Sequence, residues 1–286
     1  MTVLKQRFTD LEMLVQTRIQ GDPLDQPFWV VQKEEIHLLP DRALGKGGWG
    51  HICVAVFRGQ EVAAKTLHSE ILSSHNIKLF TREMNMAARS RHPNLLQFIG
   101  ATISGEPIIL TELMQTSLRK LLAEQMLSNE HTLSIAKDVA RALNYLHLIK
   151  PSPIIHRDIS SANILLDKMP NNEWKAKVGD YGSSNFMAQV STTGPGNIVY
   201  AAPEAYNPNL QTPKMDVFSF GVLLIEMSTS QLPAKVVREA LKRQMKWPKL
   251  VALVDRCTLD DHKKRPDMNK VLHDLEGMNV PKNVWM

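Results

Sequence analysis

Residues 155–163 bring together side chains that can move a proton and hold a metal ion. The segment reads Ile-His-Arg-Asp-Ile-Ser-Ser-Ala-Asn, with a carboxyl group at Asp158 and an amide at Asn163. A carboxylate can accept a proton from a hydroxyl group, and the oxygen of an amide can hold a metal ion. A lone His-Arg-Asp run would be weak evidence. The groups that precede and follow it therefore decide the interpretation.

A glycine-rich motif, Gly45-Lys-Gly47-Gly-Trp-Gly50, precedes these groups. Glycine lets the backbone approach phosphate oxygens without a Cβ in the way. Dinucleotide-binding folds use the same spacing, but there the glycines open a helix. The character of the side chains alternates over residues 51–56, which is typical of a strand. The sequence therefore predicts a turn between two strands, folded over phosphates.

The predicted elements divide the chain into two halves. Residues 35–113 are mostly strands with one helix near 76–90, and the chain is mainly helical after Met114. This order predicts an α+β fold with a small β-rich N-lobe and a larger helical C-lobe. The predicted boundaries are an extension over 1–34, a domain over 35–277 (N-lobe 35–111, hinge 112–115, C-lobe 116–277) and a tail over 278–286.

The sequence of the N-terminal extension predicts one amphipathic helix over residues 2–20. Apolar residues recur there at helical spacing, and Gly21-Asp-Pro23 ends the pattern. The helix either packs on its own domain or forms a dimerising coiled coil, of which two to three heptads would be visible.

Bulk properties exclude several function classes. The net charge is +5, but Lys and Arg are spread along the chain without the concentration that nucleic-acid binding requires. Cys53 and Cys257 have no paired spacing, which indicates a reducing compartment and no zinc site. The apolar stretch 217–227 is half a membrane span and predicts a buried helix. We expect a cytoplasmic protein without a membrane span or signal peptide.

Taken together, the motifs resemble the protein kinase superfamily. His156-Arg-Asp158 with Asn163 resembles the catalytic loop H-R-D-x-x-x-x-N. Trp29, the hinge sequence and Lys150-Pro151 are most similar to the tyrosine-kinase-like group of serine/threonine kinases. The remaining matches are Val62-Ala63-Ala64-Lys65 for V-A-I-K, Thr111-Glu112-Leu113-Met114 for the hinge, Gly179-Asp180-Tyr181-Gly182 for D-F-G and Ala202-Pro203-Glu204 for A-P-E.

The resemblance implies transfer of the γ-phosphoryl group of ATP to a protein hydroxyl group, with Mg²⁺. Asp158 would orient the hydroxyl group and accept its proton. Lys65, held by Glu83, would contact the α- and β-phosphates, and Asn163 and Asp180 would bind the metal. Ser191, Thr192 and Thr193 are candidate acceptors for an activating phosphate that would pair with Arg157.

The resemblance also implies a nucleotide site. The Glu112 carbonyl and the Met114 backbone would bond adenine beside a small gatekeeper, Thr111. The expected nucleotide-binding residues are Gly45, Gly47, Gly50, Ile52, Ala63, Lys65, Thr111, Glu112, Met114 and Leu165. Two structural roles follow as well: an ion pair of Glu204 with Arg265, and an Asp216 that holds the catalytic-loop backbone.

The chain departs from the family pattern at positions that usually indicate which hydroxyl group is phosphorylated. Serine/threonine kinases usually carry Lys at the position of Ser160 and Thr at the position of Asn197. Tyrosine kinases have Ala or Arg at the position of Ser160 and usually a Pro-Trp segment further on, and this chain shows neither feature. We expect serine/threonine specificity. The alternatives are tyrosine or dual specificity, an ATP-binding pseudokinase scaffold and a small-molecule phosphotransferase.

Overall fold

The computed structural model describes residues 27–47, 50–67, 74–103, 105–181 and 197–281 of the 286-residue chain. Within these ranges a sheet-rich N-terminal part is followed by a mainly helical part, which confirms the predicted α+β fold with two lobes. The helix predicted over residues 2–20 and the candidate phosphate acceptors at 191–193 lie outside the described residues.

The N-terminal part is built on an antiparallel sheet of five strands in the order β1-β2-β3-β5-β4. The strands are β1 Ile36–Gly47, β2 Gly50–Phe57, β3 Gln60–Leu67, β4 Phe98–Ala101 and β5 Ile108–Glu112. The pairing of β1 with β2 continues to Gly47 opposite Gly50. The glycine motif therefore joins two strands, as predicted, and the dinucleotide-binding alternative is wrong because no helix starts at Gly50.

The two faces of this sheet have different neighbours because side chains alternate along each strand. Val62 and Ala64 lie on the face that packs into a small apolar core. Ala63 and Lys65 alternate with them on β3, and Thr111 is directly opposite Ala63. The predicted nucleotide-binding side chains of β3 and β5 therefore share the face turned away from that core.

Helix α1, Ser74–Arg89, packs against β4 through an apolar face. Phe80, Met84 and Ala87 recur at intervals of three or four residues and are buried. Glu83, the one acidic residue of the helix, is also buried and only 4% exposed. The sequence pattern thus places a carboxylate on the inner side of α1, as expected.

The C-terminal part surrounds two long helices. Its helices are α2 Leu118–Glu124, α3 Asn129–Leu148, α4 Lys214–Thr229, α5 Arg238–Gln244, α6 Pro248–Cys257 and α7 Met268–Glu276. A second sheet contains β6 Thr116–Ser117, β7 Ile164–Lys168 and β8 Trp174–Val178. Helix α4 is almost entirely buried, as predicted for residues 217–227. Among the described residues, no helix is both long and apolar enough to cross a membrane.

Helix α5 was not predicted from the sequence. Its seven residues contain a single buried side chain, Leu241, and are otherwise charged or polar apart from one alanine. A helix with one apolar anchor leaves no hydrophobic period to detect. Tertiary packing, and not the local pattern, determines this element.

A buried ion pair fixes the segment that precedes α4. Arg265 Nη1 lies 2.5 Å from Glu204 Oε1 and its Nη2 lies 2.9 Å from Oε2. The two side chains are 0% and 5% exposed. Arg265 also donates to the carbonyl oxygens of Lys214, Leu259 and Asp260. The predicted pair is confirmed, and its guanidinium is fully satisfied by fixed acceptors.

We expect Glu204→Gln to lower the free energy of unfolding by about 3 kcal/mol or more, because it leaves a buried guanidinium without its counter-charge. Urea unfolding followed by circular dichroism measures the effect. Glu239→Gln is the matched control, since Glu239 forms an exposed pair with Lys242, and it should cost less than about 1 kcal/mol. Equal losses in the two variants would contradict this account.

Candidate active site

Asp216, at the start of α4, organises the predicted catalytic loop. Its Oδ2 accepts a hydrogen bond from the His156 backbone N–H, and its Oδ1 accepts one from the Arg157 N–H, both at 2.8 Å. His147 Nε2 also lies 2.8 Å from Oδ2. Burial alone would raise the pKa of Asp216, but its hydrogen bonds with His147 and with the His156 backbone outweigh burial and lower it. The predicted role of Asp216 is confirmed.

His156 connects the loop to the segment that carries Asp180. Its Nε2 lies 2.7 Å from the carbonyl oxygen of Gly179, so Nε2 carries the proton and donates it. Its Nδ1 is then free to accept the Asp158 N–H at 3.3 Å. The neutral ring thus bridges the backbone next to Asp158 and the backbone next to Asp180.

The carboxyl group of Asp158 is held by two donors. Its Oδ2 accepts from Asn163 Nδ2 at 2.8 Å, and its Oδ1 accepts from the Asn197 backbone N–H at 2.9 Å. Asn163 Nδ2 also donates to the Asp158 carbonyl at 2.7 Å, which fixes the orientation of the amide. Burial raises the pKa of Asp158, although both hydrogen bonds oppose the shift. The structure therefore brings the two predicted catalytic-loop residues together.

The two positions that depart from the family pattern serve this loop through their backbones. Ser160 is 2% exposed, and its carbonyl accepts the Asn163 N–H at 3.0 Å. Asn197 donates its N–H to Asp158, while its side-chain oxygen accepts the Val199 N–H at 3.2 Å. Neither side chain supplies a cation near Asp158.

Lys65 forms its ion pair with Asp180. Lys65 Nζ lies 2.9 and 2.8 Å from the two carboxylate oxygens of Asp180. The Asp180 backbone is left-handed, with φ of 59°, which is uncommon for a residue with a side chain. The structure joins these two predicted residues although they lie 115 positions apart in the sequence.

The expected contact of Lys65 with Glu83 stays a prediction. The partner that the structure gives the Lys65 ammonium group is Asp180, which binds it with both carboxylate oxygens. Burial lowers the pKa of Arg157, and the charges of Asp216 and Glu83 oppose this shift. Sequence spacing placed Glu83 on the inner side of α1, where it is buried.

Tyr181 replaces the usual phenylalanine after Asp180, and its hydroxyl group has a partner. The ring is 4% exposed, and the hydroxyl donates to the carbonyl oxygen of Leu96 at 3.1 Å. Leu96 in turn donates its N–H to Val178 at 2.9 Å. The segment that carries Asp180 is therefore fastened to the chain just before β4.

The predicted phosphate-binding glycines differ in what their positions require. A Cβ at Gly50 would lie 1.8 Å from the carbonyl oxygen of Thr66 on β3, so no side chain fits there. A Cβ at Gly45 would meet nothing within 4 Å. Gly50 is thus needed by its own sheet, whereas the requirement for glycine at positions 45 and 47 stays a prediction.

The hinge region shows a side-chain role that the sequence did not reveal. Glu112 was assigned only a backbone role, but its carboxylate lies 2.6 and 2.7 Å from Lys177 Nζ. The same carboxylate accepts the Gln97 N–H at 2.6 Å. Lys177 lies on β8 opposite Leu165 of β7, which links the hinge to both strands. No short-range signal pairs residues 65 positions apart.

The remaining predicted nucleotide-binding side chains come from both sheets and from the hinge. Ile52 is directly opposite Lys65 on the neighbouring strand, so both share one face of the sheet. Leu165 lies near the backbone of Gly179, just before Asp180. Ile52, Ala63, Thr111 and Leu165 are partly exposed, and Met114 is buried.

A buried polar network supports the loop from below and was also missed. Arg119 on α2 donates to Ser161 Oγ at 2.6 Å and to the Tyr200 hydroxyl at 2.8 Å. Ser161 and Tyr200 both donate to the carboxylate of Glu226 on α4. Burial raises the pKa of Glu226 against these bonds. The network ties the catalytic loop to α2 and α4.

Comparison with known proteins agrees with this fold and this arrangement of side chains. The family profile for protein tyrosine and serine/threonine kinases matches residues 38–275. That match covers most of the 286-residue chain, and the chain therefore belongs to the protein kinase family.

Individual relatives are about one third identical. The probable serine/threonine-protein kinase drkA of Dictyostelium discoideum is 34% identical over 82% of this chain and 39% of its own length. Serine/threonine-protein kinase CTR1 of Arabidopsis thaliana is 32% identical over 89% of this chain and 32% of its own length. A seven transmembrane domain-containing tyrosine-protein kinase of D. discoideum is 33% identical over 84% and 38%. The chain thus spans between 32% and 39% of the length of these relatives.

We expect Tyr181→Phe to lower the free energy of unfolding by about 1 kcal/mol, because it removes the hydroxyl donor from the buried Leu96 carbonyl. Chemical denaturation measures the change. Tyr206→Phe is the control, since Tyr206 is 61% exposed. A Tyr181→Phe variant as stable as the parent would show that the hydrogen bond to Leu96 contributes nothing.

Proposed function

We propose that the domain is an ATP-dependent protein kinase that transfers the γ-phosphoryl group to protein hydroxyl groups, with serine and threonine favoured. The geometry of Asp158 carries the proposal. Asn163 and the Asn197 N–H hold its two carboxylate oxygens. A carboxylate fixed in this way can orient a hydroxyl group and accept its proton.

The side chains beside Asp158 fit a magnesium site. Asp180 offers a carboxylate, and the Asn163 amide points its nitrogen at Asp158, which leaves its oxygen for a cation. Hard oxygen donors of this kind are the ligands that Mg²⁺ prefers. The metal would supply charge neutralisation at the phosphates. Asn163 and Asp180 are therefore the proposed ligands.

In the proposed mechanism the chain mainly positions groups and neutralises charge. Lys65 extends from β3 toward Asp180 and supplies a cation for the α- and β-phosphates. Asp158 aligns the substrate hydroxyl group and takes its proton. The neutral His156 ring holds the backbone of Asp158 and the backbone of Gly179 at a fixed distance from each other. Ser160 adds no positive charge, so the chain offers one cation fewer than is usual for serine/threonine kinases.

The proposed nucleotide site uses the cleft face of the N-terminal sheet. Ala63 and Thr111 share that face with Lys65, and Leu165 lies near Gly179. Adenine would be bound by the backbone of Glu112 and Met114 beside Thr111. The glycine motif between β1 and β2 would cover the phosphates.

Two alternatives rest on particular observations. A tyrosine-protein kinase is among the relatives, and Ser160 and Asn197 lack the usual serine/threonine features. The same two departures, Ser160 and Asn197, are the reason that an ATP-binding scaffold is kept as an alternative. We place the domain in the cytoplasm, where ATP is available and where Cys53 and Cys257 would stay reduced.

We expect Asp158→Asn to reduce kcat for phosphate transfer by about a hundredfold or more while ATP binding persists, because the variant keeps the shape but cannot accept a proton. Labelled ATP with magnesium and a generic protein substrate measures transfer. Asp261→Asn is the control, since Asp261 caps an exposed turn where Asn is equally suitable. A parent protein that binds ATP but phosphorylates neither itself nor the substrate would make the scaffold alternative correct.

Phosphoamino-acid analysis of the phosphorylated products tests the hydroxyl preference. We expect phosphoserine and phosphothreonine, in line with the names of most of the relatives given above. Phosphotyrosine as the sole product would overturn the proposed specificity and leave the proposed reaction intact.

The pH dependence of the reaction should report on Asp158. Burial raises the pKa of this carboxyl group above its usual value of 3.8. A base works only when deprotonated, so kcat/KM should fall as the pH drops through this raised pKa. The rate profile should therefore bend at a higher pH than an unperturbed aspartate would give. ATP affinity measured at the same pH values separates this effect from loss of nucleotide binding, and a flat acidic limb would contradict it.

A further inference from the structure

A groove of about 390 Å³ runs along the solvent side of α1. This volume is within the range of ligand-binding clefts. Its lining comes from one helix and is dominated by cations. The residues are Lys78, Thr81, Arg82, Asn85, Met86 and Arg89, and we call this surface the α1 groove.

The cations of the α1 groove lack a counter-charge within the part of the chain that the structure describes. Among the described residues, no ion pair involves Lys78, Arg82 or Arg89. The one acidic residue of α1, Glu83, is buried on the other side of the helix. By contrast, Lys242 in the C-terminal part contacts both Glu239 and Asp255. Lys78 and Arg82 are four residues apart on the helix and repel each other, so an anion bound between them lowers the free energy.

The neutral polar side chains of the groove are also arranged to donate. Trp29 Nε1 lies 2.8 Å from Asn85 Oδ1. An indole N–H can only donate, so the Asn85 oxygen is used on Trp29 and its NH₂ group remains for a ligand. Thr81 adds a hydroxyl group that can also donate. The groove therefore presents donors and matches a ligand rich in acceptor oxygens.

The length of the groove selects among oxygen-rich ligands. Lys78 and Arg89 are eleven residues apart, which corresponds to about 16 Å along a helix. A single phosphate or carboxylate cannot contact both ends. An extended peptide covers this distance with about five residues. Met86 offers an adaptable apolar contact between the cations.

We propose that the α1 groove binds an acidic peptide segment of a partner protein, with several carboxylate side chains along the cations and an apolar side chain on Met86. The proposal does not depend on phosphate transfer, because none of the groove residues belongs to the proposed active site. It assigns to the outer side of α1 an interaction surface separate from the cleft.

The first test uses the full chain and a fluorescein-labelled peptide, Glu-Glu-Leu-Glu-Glu, in an anisotropy titration. The combined Lys78→Glu, Arg82→Glu and Arg89→Glu variant should lose affinity by about tenfold or more, because charge-assisted hydrogen bonds are replaced by repulsion. The control combines Lys246→Glu, Lys249→Glu and Lys263→Glu, which changes the net charge equally at exposed positions of the C-terminal part. The control should change affinity by less than about twofold, as expected for exposed charges away from a binding site.

The second test uses Asn85→Asp, which keeps the acceptor for Trp29 and replaces the donating NH₂ by a charged oxygen. It should weaken peptide binding several-fold while the thermal unfolding midpoint stays close to that of the parent. Three results would overturn the proposal: no binding by the parent, equal losses in the groove and control variants, or inorganic phosphate competing as strongly as the peptide. The last result would indicate a site for a single anion.

Discussion

A buried carboxylate at the start of α4 determines the conformation of the site. Asp216 binds the N–H groups of His156 and Arg157 and also contacts His147. These bonds hold Arg157 in a left-handed backbone conformation, with φ of 68°, which costs about 1–3 kcal/mol at residues of this kind. The loop therefore keeps a strained shape because an anion that cannot reach water needs donors from it.

Further hydrogen bonds connect the loop that Asp216 holds to segments that are far apart from it in sequence. His156 binds the carbonyl oxygen of Gly179, and Tyr181, two residues further on, binds the carbonyl oxygen of Leu96. Below the loop, Ser161 and Tyr200 converge on Glu226 of α4. The almost completely buried α4 thus carries two carboxylates, Asp216 and Glu226, which hold the loop at different points. The apolar residues of α4 anchor the helix in the core, and its few polar residues fix the position of the loop.

Much of the fold and several site residues could be predicted from the sequence, because hydrophobic periodicity and motif spacing are local signals. The turn between two strands at the glycine motif and the buried helix at residues 217–227 were predicted, and Asp158 with Asn163 was expected from a spacing of five. The partners of charged groups were harder to predict. Lys65 binds Asp180, a residue 115 positions away that the sequence did not assign to it as a partner. Such choices depend on which of several anions the completed fold brings nearest, and no residue pattern along one segment contains that information.

The ion pair of Glu112 with Lys177 has a mechanical consequence. It joins the last residue of β5 to β8, and the Gln97 N–H adds the segment before β4 to the same carboxylate. Three chain segments therefore meet at one point beside the hinge, across the boundary between the lobes. Any motion that separates the lobes there must stretch a charge-assisted bond. The ion pair thereby stiffens the hinge on the side where Glu112 meets Lys177.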